Sequence, residues 1–437
     1  MTEITLAAIK QAAAELADVA ITTPMEQTRW LSAIEQGQVL LKCENLQRTG
    51  SFKIRGAFIR LSRLTAVERS RGVVAASAGN HAQGVALAAS MLDISSTVFM
   101  PEGAPIPKYN ATLGYGAEVH LHGTDLTQTL QAAMEYAERT GAVFIHPFDH
   151  ADVIVGQGTL GLEILAQAPE TATVLVPTGG GGLLAGVAVA IKSQRPDIKV
   201  IGVQAEAAAA WPKSIAQGHP VQLPAMATLA DGIAVGRPGD LCFEQVQRHV
   251  DDIVTVSDDL IARASVQLME RAKMVVEPAG AAGVAAVLDD PRRFSTPTVC
   301  VLSGGNIDPL LMGKMIRQGM SASGRYLHLR VRIPDVPGGS GQMAGRAGHH
   351  WRKRAGGQPR PHLKLVESRR GRRVDPRGDP WQRALPSGLG PPGPGSVGLD
   401  PGQLSLASRA GPIEPGQSTK GTASRISTSI DLPLGAT

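Results

Sequence analysis

Lys53 is the first residue of this sequence to consider for chemistry. It stands between Phe52 and Ile54 in the segment Ser-Phe-Lys-Ile-Arg-Gly, where a loop is predicted to lead into a helix. Apolar neighbours can exclude water from an ammonium group, which lowers its pKa and leaves a neutral amine able to attack a carbonyl. The alternative is that Lys53 extends along the surface with its charge in water, as most lysines do.

A second candidate is the segment Ser77–Gly84, Ser-Ala-Gly-Asn-His-Ala-Gln-Gly, which directly follows a predicted strand. Small residues and an asparagine let consecutive backbone N–H groups converge at the start of a helix, where they can bind a carboxylate or a phosphate. The alternative is an ordinary strand-to-helix turn with Asn80 as its cap. His81 by itself is more typical of a structural histidine than of a catalytic one.

Four consecutive glycines, Gly179–Gly182, stand between a predicted strand and a predicted helix. Because they have no Cβ, their N–H groups can approach an oxyanion closely. No Gly-Lys-Ser/Thr follows, so this is not a Walker P-loop. Two alternatives remain. One is a glycine turn that packs a helix on a sheet. The other is a dinucleotide fingerprint, in which Gly180, Gly182 and Ala185 match GxGxxA and Glu206 would bind a ribose.

The fourth loop is Ser303-Gly304-Gly305-Asn306, which also follows a predicted strand and by itself predicts only a turn. One cofactor suits all four loops. Pyridoxal phosphate needs an amine for its aldehyde, a cradle for its phosphate and a partner for its ring nitrogen, and its amino-acid substrate needs a carboxylate site. Lys53, Gly179–Gly182, Ser303 and Ser77–His81 offer these four groups in that order.

The elements that would position these loops alternate between strands and helices. Most strand-like runs are continuously apolar, which is typical of strands covered on both faces. The alternation predicts parallel α/β sheets with ligands bound outside the carboxyl ends of the strands. Nine strands exceed one ordinary sheet, so we predict two parallel-sheet α/β domains. The predicted strands are 39–43, 72–77, 95–100, 117–122, 142–147, 173–178, 199–204, 252–257 and 298–303, and helical patterns cover 83–92, 125–139, 158–167, 183–193 and 258–272.

Five segments in this order, SFKIRGA, SAGNHAQG, PTGGGGLLAG, EPAGA and SGGN, resemble the threonine dehydratases (threonine ammonia-lyases), which are fold-type II pyridoxal-phosphate enzymes related to the tryptophan synthase β chain. The resemblance covers about residues 5–337. It implies a catalytic region over 1–325, with a smaller domain of about 45–150 inserted in it. It also implies elimination of water from L-threonine, and from L-serine as well, to give 2-oxobutanoate or pyruvate and ammonia. A serine dehydratase or racemase of the same fold is the alternative.

The resemblance further implies which residues bind the cofactor and the substrate. Lys53 would hold the cofactor aldehyde and later act as the base at Cα. The other cofactor contacts would be Asn80 at the 3′-oxygen, Gly179, Gly180, Gly181 and Gly182 at the phosphate, Ser303 at the pyridine nitrogen and Glu277 near the ring. The substrate carboxylate would be bound by Ser77, Gly79, Asn80 and His81.

Two departures from the serine racemases narrow this expectation. Those enzymes carry a serine immediately before Gly-Asn-His, where this chain has Ala78, so racemisation is expected to be poor. They also bind a divalent cation through two carboxylates and a carbonyl. The corresponding positions here are Gln204, Ala210 and Ala208. Because such cations prefer anionic oxygen ligands, no metal site is predicted.

The last hundred residues have a different composition. Residues 338–437 contain 19 glycines, 12 prolines and 12 arginines, with only two aromatic residues. Such a segment buries too little apolar area to offset its conformational entropy, so 340–437 is predicted to be disordered. Residues 327–333 alternate as a strand does, and 326–339 resembles the start of an ACT-type regulatory domain that 340–437 does not complete. Isoleucine control is therefore not expected. A frameshift near Gly339 is one hypothesis, and a native low-complexity tail is the other.

Composition also limits the class of protein. No run of 18 apolar residues and no signal peptide can be identified, and Cys43, Cys242 and Cys300 are too far apart for a disulfide framework or a zinc ribbon. We therefore expect a cytoplasmic enzyme of small amino acids without membrane partners, and the resemblance implies a homodimer or homotetramer. A nicotinamide oxidoreductase stays as an alternative. So does nucleic-acid binding by the basic tail, although almost no aromatic residues there could stack on bases.

Overall fold

The structure is a computed structural model that describes residues 3–324, 326–334 and 425–433, the last two ranges as backbone only. It divides into two compact units, Met1–Ala322 and Ser323–Thr437. The first unit contains ten strands. These are β1 Met25–Gln27, β2 Val39–Lys42, β3 Val73–Ala76, β4 Ser96–Met100, β5 Glu118–Leu121, β6 Val143–Phe144, β7 Thr173–Pro177, β8 Lys199–Ala205, β9 Asp252–Val256 and β10 Thr298–Val301.

Fourteen α-helices lie between and around these strands in the described part of the first unit. They are α1 Leu6–Glu15, α2 Arg29–Glu35, α3 Lys53–Ser62, α4 Ala66–Arg71, α5 Asn80–Met91, α6 Ile106–Gly114, α7 Leu126–Thr140, α8 Ala151–Gln167, α9 Gly182–Lys192, α10 Ala210–Gln217, α11 Asp240–His249, α12 Asp258–Gln267, α13 Ala282–Asp289 and α14 Pro309–Ala322.

The strands form two separate sheets, as predicted. The larger sheet has the order β1-β2-β10-β7-β8-β9, and the smaller has the order β5-β4-β3-β6. Every neighbouring pair is parallel except β1 with β2, which is antiparallel at the edge of the larger sheet. All nine predicted strands are present. The sequence analysis missed β1, because three residues are too few to show a period.

The larger sheet is covered on both faces, which explains its continuously apolar strands. Val174 and Val176 pack in one buried cluster, whereas Leu175 packs in another. Alternate residues of a strand point to opposite faces, so a strand buried on both sides needs apolar residues at every position. The polar loops Ser77–Gly84, Gly179–Gly182 and Ser303–Asn306 begin just after β3, β7 and β10, at the carboxyl ends of parallel strands.

The second unit contains two described strands, β11 Tyr326–Pro334 and β12 Arg425–Pro433, which pair antiparallel with Tyr326 opposite Pro433. The prediction that 340–437 is disordered is therefore wrong at 425–433. The signal is an alternation of Ile426, Thr428, Ile430 and Leu432 with polar residues, which is a strand period that the overall glycine and proline content obscures. The predicted disorder of the rest of 340–437 lies outside the described residues. Within the described ranges, no helix combines the length and apolar character needed to cross a bilayer.

Candidate active site

Lys53 is the first residue of α3, as the predicted loop-to-helix start requires. Its side chain is half-buried, and its Nζ donates a hydrogen bond of 2.8 Å to the backbone carbonyl of Pro147. Burial lowers the pKa of Lys53 to about 8, although Cys242 and Glu277 oppose the shift. Of the two interpretations of this lysine, the structure therefore favours the desolvated amine over the surface cation.

The turn that holds the Lys53 amine also contacts the glycine loop. His146 Nδ1 accepts hydrogen bonds from the backbone N–H groups of Phe148, at 3.3 Å, and Asp149, at 2.7 Å. The Phe148 ring lies against Gly180, where a Cβ would overlap its ring carbons. One short segment, 146–149, thus places the lysine amine and the glycine loop side by side. The sequence analysis assigned only 146–147 of this segment, to the end of the predicted strand 142–147, and the observed strand β6 ends at Phe144.

The glycine loop leads directly into α9, and its conformation lets a ligand approach its backbone closely. Gly181 has a φ of +106°, which a side chain would strain. The loop is held by its carbonyls, because Trp211 Nε1 donates to Gly179 O at 2.7 Å and Gly239 N donates to Gly180 O at 3.0 Å. Among the described residues, the N–H groups of Gly179–Gly182 have no protein acceptor. Four unpaired donors at a helix N-terminus fit the phosphate of a cofactor.

Asn80 is the first residue of α5, and Gly79 occupies the cap position without a side-chain bond, so the interpretation of Asn80 as the cap is wrong. Its side chain instead bridges two distant segments. Asn80 Nδ2 donates to Glu277 Oε1 at 2.7 Å, and Asn80 Oδ1 accepts from Asn306 Nδ2 at 2.9 Å. Gly79 N donates to Ser77 Oγ at 3.1 Å, which closes the loop before the helix.

His81 is buried and makes a 2.8 Å contact from Nε2 to the carbonyl of Ile145. Burial, followed by the nearby Lys53, lowers the pKa of His81 to about 3, so the ring is neutral. The imidazole therefore resembles the structural histidine that the sequence also allowed. Only the backbone of His81 remains available for an anion at the start of α5.

Glu277 and Gly304, the residue after Ser303, lie against the Asn80 side chain. Burial and then the neighbouring Asp231 raise the pKa of Glu277 to about 7. A Cβ on Gly304 would overlap Glu277 Oε1, so the Glu277 carboxyl lies directly against the backbone of Gly304. Ser303 is buried, and its carbonyl accepts from Phe52 N at 3.2 Å, directly before Lys53. No protein partner of Ser303 Oγ is found within the described part of the chain, which leaves this hydroxyl available to a ligand.

The structure adds two charged residues that sequence reasoning missed. Lys108, on α6, forms an ion pair of 3.2 Å with Asp231, in the segment that follows Ala230. Lys108 is buried, whereas the Asp231 side chain is 52% exposed. Neither residue stood in a motif, and no local pattern distinguishes them from ordinary surface charges. Asn306 belonged to a quoted loop but had no assigned role.

The position that corresponds to the cation site of the serine racemases is occupied by hydrogen bonds between the Gln204 amide and the backbone. Gln204 is fully buried, donates to Ala208 O at 3.3 Å and accepts from Trp211 N at 3.0 Å. Across residues 3–324 no group of three or more His, Cys, Asp or Glu side chains could hold a metal ion. Glu206, the ribose ligand of the nicotinamide alternative, is exposed just after β8.

A family model, curated relatives and solved structures all match this chain, and they indicate the same family. Residues 16–304 match the family model described as pyridoxal-phosphate dependent enzyme. The chain is 47% identical over 342 residues to the L-threonine ammonia-lyase of Thermotoga maritima, covering 78% of this chain and 85% of that protein. Two solved structures are similar as well. The processed form of threonine deaminase isoform 2 from Solanum lycopersicum has a TM-score of 0.69 and 36% identity, covering 72% of this chain and 88% of the other. Maize serine racemase has a TM-score of 0.68 and 34% identity, and the match covers 73% of this chain and 99% of the racemase chain.

Proposed function

This chain belongs to the pyridoxal-phosphate dependent enzymes, and from that premise we propose that it is a threonine ammonia-lyase that converts L-threonine to 2-oxobutanoate and ammonia. The observation that carries the proposal is the turn 146–149, which joins the desolvated Lys53 amine to the unpaired N–H groups of Gly179–Gly182. The identity of 47% to an L-threonine ammonia-lyase over most of both chains supports the same activity.

Pyridoxal phosphate, when bound, supplies an aldehyde that combines with amines and a ring that takes up the charge left when the α-proton departs. The residues present fit this group. Gly179–Gly182 offer four N–H donors to its phosphate, and the unpaired Ser303 hydroxyl would face its pyridine nitrogen. Asn80 would donate to its 3′-oxygen, because an amide has two N–H groups and only one is engaged with Glu277. Glu277 would lie near the ring.

Lys53 is proposed to do two things in turn. Its amine would hold the cofactor aldehyde, and as a free amine it would remove the proton from the substrate Cα. Both tasks require a neutral amine. A lysine whose pKa is about 8 is deprotonated to a useful extent near neutral pH, whereas an ordinary lysine is not.

The loop Ser77–His81 is proposed to hold the substrate carboxylate with the N–H groups at the start of α5. This helix packs closely on the lysine, because a Cβ on Gly84 would lie 3.1 Å from the backbone carbon of Lys53. The carboxylate loop and the Lys53 backbone are therefore on touching helices. Holding the carboxylate on one helix and the base on the other orients the Cα–H bond for transfer.

The test is turnover of L-threonine by the cofactor-loaded protein, with detection of the 2-oxo acid, beside a panel of β-hydroxy amino acids. We expect 2-oxobutanoate from threonine and pyruvate from serine. The two substrates differ by a methyl group, which a pocket discriminates by only about 1–3 kcal/mol. Absence of 2-oxo acid from every member of the panel would refute the proposal.

We further propose a cytoplasmic homodimer or homotetramer. The oligomer is supported by the resemblance to threonine dehydratases, and the compartment by the three cysteines Cys43, Cys242 and Cys300, which are free and buried. Disulfides are rare in reducing compartments. Sedimentation equilibrium of the purified protein tests the oligomer, and a monomer at micromolar concentration would refute it.

For the remaining C-terminal part, we propose that 326–339 is the start of an ACT-like domain that 340–437 does not complete, and that a frameshift near Gly339 produced the rest. The abrupt change to glycine, proline and arginine supports this proposal. Resequencing the gene around that codon tests it. An intact reading frame through Gly339 would leave a native low-complexity tail as the explanation.

A further inference from the structure

Lys108 forms one ion pair among the described residues, and its anionic partner, Asp231, lies on a different part of the fold. Lys108 belongs to α6, the helix between β4 and β5 of the smaller sheet, and its Nζ lies 3.2 Å from Asp231 Oδ2. The segment of Asp231 packs beside the glycine loop, since a Cβ on Gly179 would lie 3.1 Å from Ile233 Cα. The ion pair therefore spans from the smaller sheet to the edge of the cofactor cradle.

The same ammonium group faces the proposed carboxylate loop. A Cβ placed on Gly79 would have Lys108 Nζ as its nearest heavy atom, at 3.7 Å. Gly79 stands immediately before Asn80, at the N-terminus of α5, where the N–H groups of the helix are exposed to a ligand. An anion bound to these N–H groups would thus be within reach of a positively charged side chain.

The two members of the ion pair differ in how easily they can separate. The Lys108 side chain is 10% exposed, so without an anion its charge would be buried and uncompensated, which is costly. The Asp231 side chain is 52% exposed and also accepts from Gly232 N at 2.8 Å, so it can exchange Lys108 for water. An incoming carboxylate can therefore replace Asp231 at little cost.

We propose that Lys108 binds the carboxylate of the amino-acid substrate, and that Asp231 occupies this position on Lys108 while the site is free of substrate. The proposal rests on the proposed function and deepens it, because it assigns a charged ligand to a loop that otherwise offers only uncharged donors. It makes Lys108 a substrate ligand and Asp231 a competitor of the substrate.

This proposal predicts that substitutions of the two members of the ion pair shift KM for threonine in opposite directions. Lys108→Met removes the ligand and should raise KM for threonine roughly tenfold to a hundredfold, the scale of a lost hydrogen bond between charged groups. Asp231→Asn removes the competitor and should lower KM by a few-fold. If the pair were only a structural link, both variants would lose it and would shift KM in the same direction.

The experiment measures KM and kcat for threonine in the cofactor-loaded wild type, Lys108→Met, Lys108→Arg and Asp231→Asn. Lys192→Met is the matched control, because it breaks the 2.7 Å pair with Asp251 at the far end of α9 and should leave KM unchanged. Lys108→Arg keeps the charge and should recover most of the loss. Cofactor content, read from its absorbance, verifies that each variant is folded.

The outcomes separate this inference from the proposed function. A wild type without threonine turnover refutes the function itself. A wild type that is active, with Lys108→Met and Asp231→Asn both raising KM or both leaving it unchanged, refutes the role of Lys108 alone. If Lys108→Met does not fold, a KM of Asp231→Asn equal to or above that of the wild type is sufficient to overturn the proposal.

Discussion

Asn80 donates a 2.7 Å hydrogen bond to Glu277, which stands 197 residues later in the chain. This bond joins the N-terminus of α5, beside the smaller sheet, to a buried carboxyl group beside the larger one. A hydrogen bond from an N–H group favours the charged carboxylate, but burial and the nearby Asp231 dominate and raise the pKa of Glu277 to about 7. Glu277 therefore changes its protonation state close to neutral pH.

This raised pKa predicts a specific dependence of stability on pH. The folded state holds a proton on Glu277 between the ordinary value of 4.5 and about 7, whereas the unfolded state does not. The free energy of unfolding should consequently fall as pH rises through this window. Glu277→Gln should remove this contribution, which urea unfolding of the cofactor-free protein at pH 5 and pH 7.5 would measure. Glu244→Gln, at an exposed position, is the control, and an identical pH slope in wild type and Glu277→Gln would contradict the prediction.

Lys53→Ala should remove the amine that holds the cofactor aldehyde. We expect loss of the covalently held cofactor, detected by its absorbance and by the absence of cofactor fixed to the protein after borohydride reduction, together with loss of nearly all turnover. Lys213→Ala, on the exposed face of α10, is the control and should retain both. Covalently held cofactor in the Lys53→Ala protein would show that another residue carries this role.

Lys42→Ala should lower the stability of the protein without affecting its attachment of the cofactor. The sequence places Lys42 on a strand with no chemical role, and the structure shows it fully buried, with Nζ bonded to Glu163 at 2.6 Å and Gln167 at 2.7 Å. We expect the variant to keep its covalently held cofactor but to melt earlier. It loses one of the two cations that pair with Glu163, of which Arg55 remains at 2.6 Å, and it leaves Gln167 Oε1 without its Nζ donor. Thermal unfolding followed alongside cofactor absorbance checks both parts, and loss of the cofactor in a folded variant would be the contrary result.

Gly180→Ala should weaken cofactor binding, because the new methyl group would meet the Phe148 ring and push the loop away from its position. Gly114→Ala is the matched control, since no heavy atom lies within 4 Å of its Cβ position at the end of α6. Equilibrium titration of the two cofactor-free variants with pyridoxal phosphate measures the affinity. We expect a loss of at least about tenfold for Gly180→Ala, the equivalent of roughly 1.4 kcal/mol, and equal affinities would contradict it.

Ala78→Ser should raise racemisation of serine. Ala78 precedes Gly-Asn-His, and its methyl group cannot deliver a proton to the second face of Cα. A positioned acid or base contributes typically 10²–10⁴-fold to a proton transfer, so the unaltered protein should racemise serine far more slowly than it deaminates it. Chiral analysis of serine during turnover provides the measurement. Comparable racemase and lyase rates in the unaltered protein would disprove this reasoning.

A variant chain that ends at Ser323 should keep its cofactor and most of its activity. The boundary falls where the structure divides into Met1–Ala322 and the second unit. We expect the melting temperature to change by less than about 2–4 °C, the scale of 1 kcal/mol in a domain of roughly 150–250 residues. Isoleucine should change the activity of neither the full chain nor the variant that ends at Ser323. A larger drop in melting temperature, or an isoleucine response of the full chain, would show that residues after 323 contribute to folding or control.

The sequence by itself determined the elements and the position of the chemistry along the chain. All nine predicted strands are present. Continuous apolar runs are a local requirement of strands buried on both faces, which accounts for β3, β7 and β10, buried at every position. The glycine run after β7 and the polar loops after β3 and β10 are local as well, because each reflects what a backbone must do between a strand and a helix. Where a local signal was weaker than overall composition, as in Arg425–Pro433, the prediction was wrong.

Only the tertiary structure decided which groups meet. The contacts of Lys53 with Pro147, Asn80 with Glu277 and Lys108 with Asp231 join residues 94, 197 and 123 positions apart. No period or spacing in the sequence encodes such pairs. The two residues of each pair follow different strands and meet only when the chain has folded. The pKa values of Lys53 and Glu277 depend on burial in the same way. An amine or a carboxyl loses its water only when the packed chain surrounds it, and that is a property of the fold rather than of any segment.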